Sequence, residues 1–251
     1  MVHDEVLPRL KALSGIEHPP GVLELKFTGI GESDFHQGVD AKLAEIPGLE
    51  YGYCAHIGEV DLRLIGSADA LEQGRVIALE SFERFLISAD GSSLEATVVR
   101  MLTERNMTLA TAESCTGGLI SCRVTDVPGS SAVFTHGFVT YANEAKFKLL
   151  GVSSADLDAH GAVSETVARQ MAQGALTNSG ADIAVAVTGI AGPDGGTAEK
   201  PVGTAWIGLA AKGAEPLAFT VYHPRNRLDF KLAVSQAALD VVRRKLAGMA
   251  L

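Results

Sequence analysis

The sequence predicts an α/β protein: a three-layer α/β/α domain with a mixed, mostly parallel sheet, preceded by a small α+β module. Strand and helix patterns alternate over residues 91–251, an order typical of helices that cover both faces of a largely parallel sheet. A short turn joins the last two strand patterns, so that pair is expected to be antiparallel. The polar, Gly-containing stretch 89–92 separates this part from a different pattern before it.

The small module is assigned to residues 21–90 and has the order βαββα. Residues 1–20, which contain three prolines, are predicted to be a linker or an incomplete element. Apolar spacing and turn residues predict the following elements: strands at 21–28, 51–56 and 59–65, and helices at 33–44 and 68–86.

The larger domain is assigned to residues 91–251. Its first helix, over about 93–105, opens with a capping box in which Ser92 is the N-cap and Glu95 occupies the third helical position. The remaining elements follow from the same patterns: strands at 107–112, 131–141, 182–188, 203–211 and 216–223, and helices at 115–124, 143–150, 165–178 and 227–247.

The composition is that of a globular protein, with 47% hydrophobic and 20% charged residues among 251. No apolar run approaches the roughly 20 residues of a membrane span, and the start lacks the order of a signal peptide. Three cysteines, Cys54, Cys115 and Cys122, make no disulfide framework. We therefore expect a cytoplasmic protein with no membrane partner.

The net charge of −9 is unevenly distributed. Residues 1–90 hold 7 Lys and Arg against 16 Asp and Glu, whereas residues 91–251 hold 14 of each. An acidic first part repels a phosphate backbone, so we expect no nucleic-acid partner there. The balanced second part is compatible with a small anionic ligand.

The leading candidate site is the turn after the apolar run 108–112. Glu113, Ser114 and Cys115 are followed by Thr116 and two glycines, and then by a helical pattern. A nucleophile at such a turn would lie beside the first amides of a helix, which are free to hold an anion or an oxyanion. Ser114 as a plain N-cap and Glu113 as a surface charge are the alternatives.

A lysine follows the next strand pattern and is the candidate base. Lys146 acts as a base only where burial or a neighbouring cation lowers its pKa, and solvation is the commoner state of a lysine. Ser–Lys pairs work in this way on unrelated folds. Cys115 is a rival nucleophile without a nearby histidine, and His136 is expected to be packed inside its strand.

Two further segments are expected to converge on Ser114. A Gly- and Pro-rich loop follows the strand pattern 182–188, at the sheet edge where open α/β sheets bind ligands. Its distal part, 194–200, is equally consistent with a surface loop. Arg225 and Arg227 lie at the start of the last predicted helix, where cations oppose the helix dipole unless they hold an anion such as phosphate; a solvated surface position is the alternative for at least one of them. The sequence contains no familiar metal-site motif, so no metal is expected.

Six blocks, in order and covering nearly all of 92–247, resemble the CinA C-terminal domain. The resemblance implies a nicotinamide-nucleotide amidohydrolase, which converts nicotinamide mononucleotide (NMN) and water to nicotinate mononucleotide and ammonia. The blocks are 112–118, 125–131, Tyr141 with 143–146, 160–165, 187–193 and 200–204.

The same resemblance implies roles for individual residues. Ser114 is similar to the family's nucleophile, Lys146 to its proton acceptor and Tyr141 to a supporting catalytic residue. The amides of Cys115 and Thr116 are expected to bind the oxyanion, and no cofactor is needed. The expected substrate-binding residues are Thr116, Gly117, Gly118, Asn143, Thr188, Gly189, Gly192 and Arg227.

Residues 21–90 resemble the KH-like module that precedes this domain in longer family members, through the segments 27–33 and 58–64. They lack a G-x-x-G loop, so we expect a spacer or an assembly surface and not a nucleic-acid clamp. The family's N-terminal molybdopterin-binding-like domain is not in this sequence. The resemblance suggests a homo-oligomer. A non-catalytic nucleotide-binding regulator or scaffold, and an amidase for another carboxamide, remain alternatives.

Overall fold

The computed structural model describes residues 20–251, together with Val6 and Arg9. The predicted linker over residues 1–20 therefore lies almost wholly outside the described residues. Two separate sheets organise the described chain, one of four strands and one of five.

The first sheet is antiparallel, with strand order β2-β3-β1-β4, and two helices cover one of its faces. The predicted helix over 68–86 is wrong at its end: the chain leaves the helix at Phe82 and forms a short edge strand. That strand pairs with β1. The pairing supplies hydrogen-bond partners to backbone groups at the edge of the sheet, which a longer helix would not provide. The elements are β1 (Gly21–Thr28), α1 (Glu32–Leu43), β2 (Glu50–His56), β3 (Glu59–Gly66), α2 (Ala68–Phe82) and β4 (Leu86–Ser88).

The second sheet has the order β6-β5-β7-β8-β9. Strand β5 runs parallel to β6 and β7, whereas β7–β8 and β8–β9 are antiparallel. The mixed α/β fold is confirmed, and its antiparallel part extends one strand pair further than predicted. The strands are β5 (Leu109–Glu113), β6 (Phe134–Val139), β7 (Ile183–Gly189), β8 (Thr204–Ala211) and β9 (Leu217–Tyr222).

Helices form a layer on each face of this sheet. The layer of α3, α4 and α8 packs on one face, and that of α5, α6 and α7 on the other. Helix α6 was not predicted, and α4 begins four residues later than expected. The helices are α3 (Leu94–Glu104), α4 (Leu119–Thr125), α5 (Asn143–Leu150), α6 (Ser154–His160), α7 (Glu165–Ser179) and α8 (Arg227–Leu246).

The cap of α3 is displaced by one residue from the prediction. Ser93, and not Ser92, is the N-cap, and its side chain accepts a hydrogen bond from the amide of Ala96. The hydroxyl of Ser88 instead donates to the carbonyl of Ser92, which ties the preceding loop to β4. Two adjacent serines offer equivalent caps, so local sequence alone does not decide between them.

The two faces of the second sheet differ in side-chain size. In β7, Ile183, Val185 and Val187 point to α3, α4 and α8, whereas Ala184 and Ala186 point to α7. Small side chains let a helix backbone approach the sheet closely. Gly208 on β8 faces the Ala168 carbonyl of α7, where a Cβ would overlap it.

Helix α8 also joins the two sheets through polar contacts. The amide nitrogen of Gln236 donates to Thr28 (3.3 Å) and to Glu59 (3.1 Å) of the first sheet. Its amide oxygen accepts from Arg123 of α4 (2.6 Å). The guanidinium of Arg243 donates to the carbonyl groups of Arg84 and Leu86. Within the described residues, no helix combines the length and apolarity needed to cross a bilayer.

Gly174 on α7 provides a test of this packing. A Cβ there would overlap the backbone carbonyl of Leu150, at the end of α5. Gly→Ala normally stabilises a helix, but here we expect Gly174→Ala to lower the free energy of unfolding by about 2 kcal/mol, because neither backbone can yield. Denaturant unfolding measures this loss.

The matched control is Gly52→Ala, because a Cβ at Gly52 has nothing within 4 Å. We expect that substitution to leave stability unchanged or raised. A stabilised Gly174→Ala variant would show that α5 does not pack against α7 as described.

Candidate active site

The turn after β5 presents Ser114 at the carboxyl end of the second sheet. The amide of Ser114 donates to the Val187 carbonyl (3.0 Å), and its own carbonyl accepts from the Gly117 amide (3.1 Å). Gly117 and Gly118 have φ angles of +64° and +98°, which a residue with a side chain rarely adopts. The turn therefore depends on both glycines, and it leaves Ser114 8% exposed.

The carboxylate of Glu113 is fully buried and holds the start of α4. It accepts hydrogen bonds from the hydroxyl groups of Thr116 and Ser121, both at 2.7 Å. It also accepts from the amides of Gly118 (3.0 Å), Ile120 (3.0 Å) and Ser121 (2.8 Å). Glu113 is thus not a surface charge, and three amides at the start of α4 are bonded to it and are not free to hold an external anion.

Lys146 lies one turn into α5 and is only 1% exposed. Its Nζ is 3.1 Å from Ser114 Oγ, 2.9 Å from the Thr140 carbonyl oxygen and 3.3 Å from that of Tyr141. Among the described residues, no carboxylate forms an ion pair with it. Burial lowers the pKa of the Lys146 ammonium group below its ordinary value, which favours the neutral amine.

Cys115 lies beside Ser114 but is buried, and burial raises the pKa of its thiol to about 12. A thiol must ionise to act as a nucleophile, so Cys115 is disfavoured in that role. Ser114, with an amine beside its hydroxyl, is the better-placed nucleophile.

A cavity of about 280 Å³ opens over Ser114 and Lys146. It lies at the carboxyl ends of the parallel strands β5 and β7, where ligands of open α/β sheets bind. The sequence-predicted residues that line it are Ser114, Cys115, Tyr141, Asn143, Lys146, Thr188, Gly189, Gly192 and Arg227.

Arg227 fastens two walls of this cavity. One guanidinium nitrogen donates to the Gly192 carbonyl (2.9 Å), and another donates to the Tyr141 hydroxyl (2.7 Å). The hydroxyl of Thr188 donates to the carbonyl of Ala162 (2.8 Å), which holds the segment after α6 against β7. Tyr141 is 60% exposed, so its ring stands at the cavity mouth.

Three predicted substrate-binding residues, Thr116, Gly117 and Gly118, do not line the cavity. The reason is Glu113, whose carboxylate engages the Thr116 hydroxyl and the Gly118 amide and turns this segment towards α4. Among residues 20–251, no oxygen accepts from the amides of Cys115 and Thr116. Of the two predicted oxyanion donors, only Cys115 borders the cavity.

Other cavity residues were missed or misplaced by the sequence prediction. Asp194 lines the cavity, although the sequence of the segment 194–200 is equally consistent with a loop that has no contact with the site. Ala162 and Val163 also line it; the resemblance block 160–165 was the only signal for them. His136 is exposed on the edge strand β6 and stacks on Phe138, so the expectation of a packed side chain is wrong.

Residues 91–246 match the family profile described as the CinA C-terminal domain. A CinA-like protein of Akkermansia muciniphila is 50% identical over 239 residues, covering 95% of this chain and 58% of the relative. One from Chlorobaculum tepidum is 44% identical, covering 99% of this chain and 61% of the relative. The chain thus spans about three-fifths of the length of these curated relatives.

Solved structures match about three-fifths of the chain. The competence/damage inducible protein CihA of Agrobacterium tumefaciens aligns with a TM-score of 0.58 and 43% identity, covering 62% of this chain and 97% of that one. A CinA superfamily protein of Klebsiella pneumoniae aligns with a TM-score of 0.59 and 35% identity, covering 62% and 96%.

Glu113→Gln tests the role of the buried carboxylate. The oxygen of the neutral amide accepts weaker hydrogen bonds than a carboxylate oxygen does. The NH₂ group cannot accept the hydrogen bonds that the α4 turn donates to the second carboxylate oxygen. Hydrogen bonds to charged groups contribute about 1.5–3 kcal/mol each, so we expect the free energy of unfolding to fall by about 3 kcal/mol.

Glu104→Gln, at the exposed end of α3, is the matched control, and we expect a change within about 0.5 kcal/mol. Equal effects of the two substitutions on thermal unfolding would contradict the assigned role of Glu113.

Proposed function

Because the chain belongs to the CinA family through residues 91–246, we propose that it is a Ser–Lys amidohydrolase that hydrolyses the carboxamide of NMN. The 3.1 Å separation of Lys146 Nζ from Ser114 Oγ carries this proposal. The two carbonyl oxygens of Thr140 and Tyr141 accept from two of the amine hydrogens, which directs the nitrogen lone pair of the neutral amine towards the serine hydroxyl.

In the first step, Ser114 Oγ attacks the carboxamide carbon while its proton passes to Lys146 Nζ. The carbonyl oxygen becomes an oxyanion, for which the Cys115 amide is the nearest proposed donor. When the C–N bond breaks, the Lys146 ammonium returns a proton to the leaving nitrogen, which departs as ammonia. An ester between Ser114 and the substrate acyl group remains.

In the second step, water attacks the ester carbon and Lys146 takes a proton from the water. The C–O bond to Ser114 then breaks, and Oγ regains its proton from Lys146. The product is a carboxylic acid, which releases its proton to solvent or to ammonia and becomes the carboxylate, nicotinate mononucleotide in this case. The same two side chains thus serve both halves of the reaction, as microscopic reversibility requires.

Arg227 is the proposed contact for the anionic part of the nucleotide. Its guanidinium lies at the cavity mouth beside Tyr141, and a phosphate there would replace or share its hydrogen bond to the phenol. Asn143, Thr188, Gly189 and Gly192 are the other proposed substrate contacts on the same cavity.

The alternative is a regulatory or scaffold protein that binds a nucleotide without turnover. A binding protein has no need for a buried lysine in contact with a serine hydroxyl, and burying an amine without an acidic partner is unfavourable. This arrangement favours the enzyme. An amidase for another carboxamide has the same machinery and differs only in what the cavity accepts.

The direct test is ammonia release from NMN, with the organic product identified by mass. We expect turnover by the wild type and losses of at least about 10³-fold in Ser114→Ala and Lys146→Met. Lys148→Met is the control, because Lys148 lies on the same helix but is exposed and paired with Glu144.

Equal activity of the Ser114→Ala variant and the wild type would show that Ser114 is not the nucleophile. If the folded wild type binds NMN but releases no ammonia, the result favours the alternative of a regulatory or scaffold protein.

The pH dependence follows from the state of Lys146. The base must be neutral, and burial lowers its pKa, so kcat/KM is expected to rise with pH and reach its plateau below the ordinary titration range of lysine. Activity is therefore lost as pH falls and the amine becomes protonated. A kcat/KM that stays constant or rises towards acidic pH would exclude a lysine base.

A further inference from the structure

Two adjoining cavities lie between the first sheet and α8, and they share no lining residue with the cavity over Ser114. Their volumes are about 290 and 530 Å³, and Gly29, Asp240 and Arg244 line both of them. We call the combined space the inter-module cleft. Pockets between modules are a common location for small ligands.

The smaller cavity has an apolar floor with polar groups at its edge. Phe219 and Val221 of β9 and Ala237 and Val241 of α8 supply the apolar surface. His223 lies at the edge, and its buried Nε2 has no hydrogen-bond partner among the described residues. Burial and the nearby Arg225 lower the pKa of His223, which favours the neutral imidazole. These walls fit a flat ring that carries a hydrogen-bonding nitrogen or oxygen.

The larger cavity is lined by two arginines, Arg84 and Arg244, and by one carboxylate, Asp240. Within the described residues, neither Arg84 nor Arg244 forms an ion pair. The guanidinium carbon of Arg84 lies 4.4 Å from the centroid of the Phe85 ring. The guanidinium group of Arg244 donates a hydrogen bond to the Ala250 carbonyl. Asp240 also lines the cleft: its carboxylate pairs with Arg243 at 2.6 Å and interacts electrostatically with Arg244, while burial raises the pKa of Asp240.

The two guanidinium groups outnumber the single carboxylate that lines the cleft, in a chain whose net charge is −9. Unpaired guanidinium groups in a concave site attract carboxylates and phosphates, which they bind through paired hydrogen bonds. The charged end and the apolar end of the cleft meet at Gly29, Asp240 and Arg244.

We propose that the inter-module cleft binds a small heteroaromatic anion. Its ring packs on Phe219, Val221 and Ala237 beside His223, and its phosphate or carboxylate contacts Arg84 and Arg244. The size and the pairing of a ring with an anion correspond to a mononucleotide. This site is separate from the catalytic cavity and does not depend on the proposed hydrolysis.

The test is calorimetric titration of the full chain with adenosine monophosphate, with adenosine as the probe that lacks the anion. We expect the monophosphate to bind and adenosine to bind at least about tenfold more weakly. The double variant Arg84→Gln/Arg244→Gln should lose at least about tenfold in affinity, as should Ala237→Leu, which fills the apolar cavity.

The matched control is Arg227→Gln, which removes an arginine at the other end of the same helix, in the catalytic cavity. Affinity retained in Arg227→Gln and lost in Arg84→Gln/Arg244→Gln supports the proposal. Affinity lost in Arg227→Gln alone would place the nucleotide in the catalytic cavity and overturn it. Absence of binding to the wild type at millimolar concentration would also overturn it, whatever the ammonia assay gives.

Discussion

The active-site architecture depends on the buried carboxylate of Glu113. Its five hydrogen bonds hold the segment from Thr116 to Ser121 and fix where α4 begins. A buried charge is tolerated only where such donors surround it, and a helix N-terminus supplies them with a favourable dipole. The anionic group at the start of α4 is therefore a side chain of the protein itself, the carboxylate of Glu113. The helix orders the turn that carries Ser114, and substrate binding is left to other elements.

The same strand end also places Lys146. The Glu113 carbonyl accepts from the amide of Thr140 (2.8 Å), and the Thr140 carbonyl accepts from Lys146 Nζ. Helix α5, which carries the lysine, packs on α7 where Gly174 leaves room for the Leu150 carbonyl. The chain thus brings a lysine with a lowered pKa to a serine hydroxyl through contacts made largely by backbone groups, which tolerate little displacement.

Local sequence patterns predicted most of the elements, the mixed sheet, and the two residues at the centre of the site. They failed where the folded path of a turn or loop, or the pairing of distant strands, decides the outcome. Glu113 looks like any charged residue at the end of a strand, because its donors converge only once the turn has folded. Asp194 follows a Gly- and Pro-rich stretch. It reaches the cavity only because of the way its loop folds, which the local sequence does not specify. The edge strand β4 and the exposure of His136 likewise depend on which strands become neighbours.

The central claim is that burial keeps Lys146 neutral beside Ser114. The most direct measurement is an NMR titration of lysine ¹³Cε resonances in the wild type, with the Lys146 signal assigned by its loss in Lys146→Met. We predict that the pKa of Lys146 lies below the ordinary lysine value of 10.5. A Lys146 resonance that titrates at or above the ordinary value would contradict the account, because the ammonium form has no lone pair to accept the serine proton.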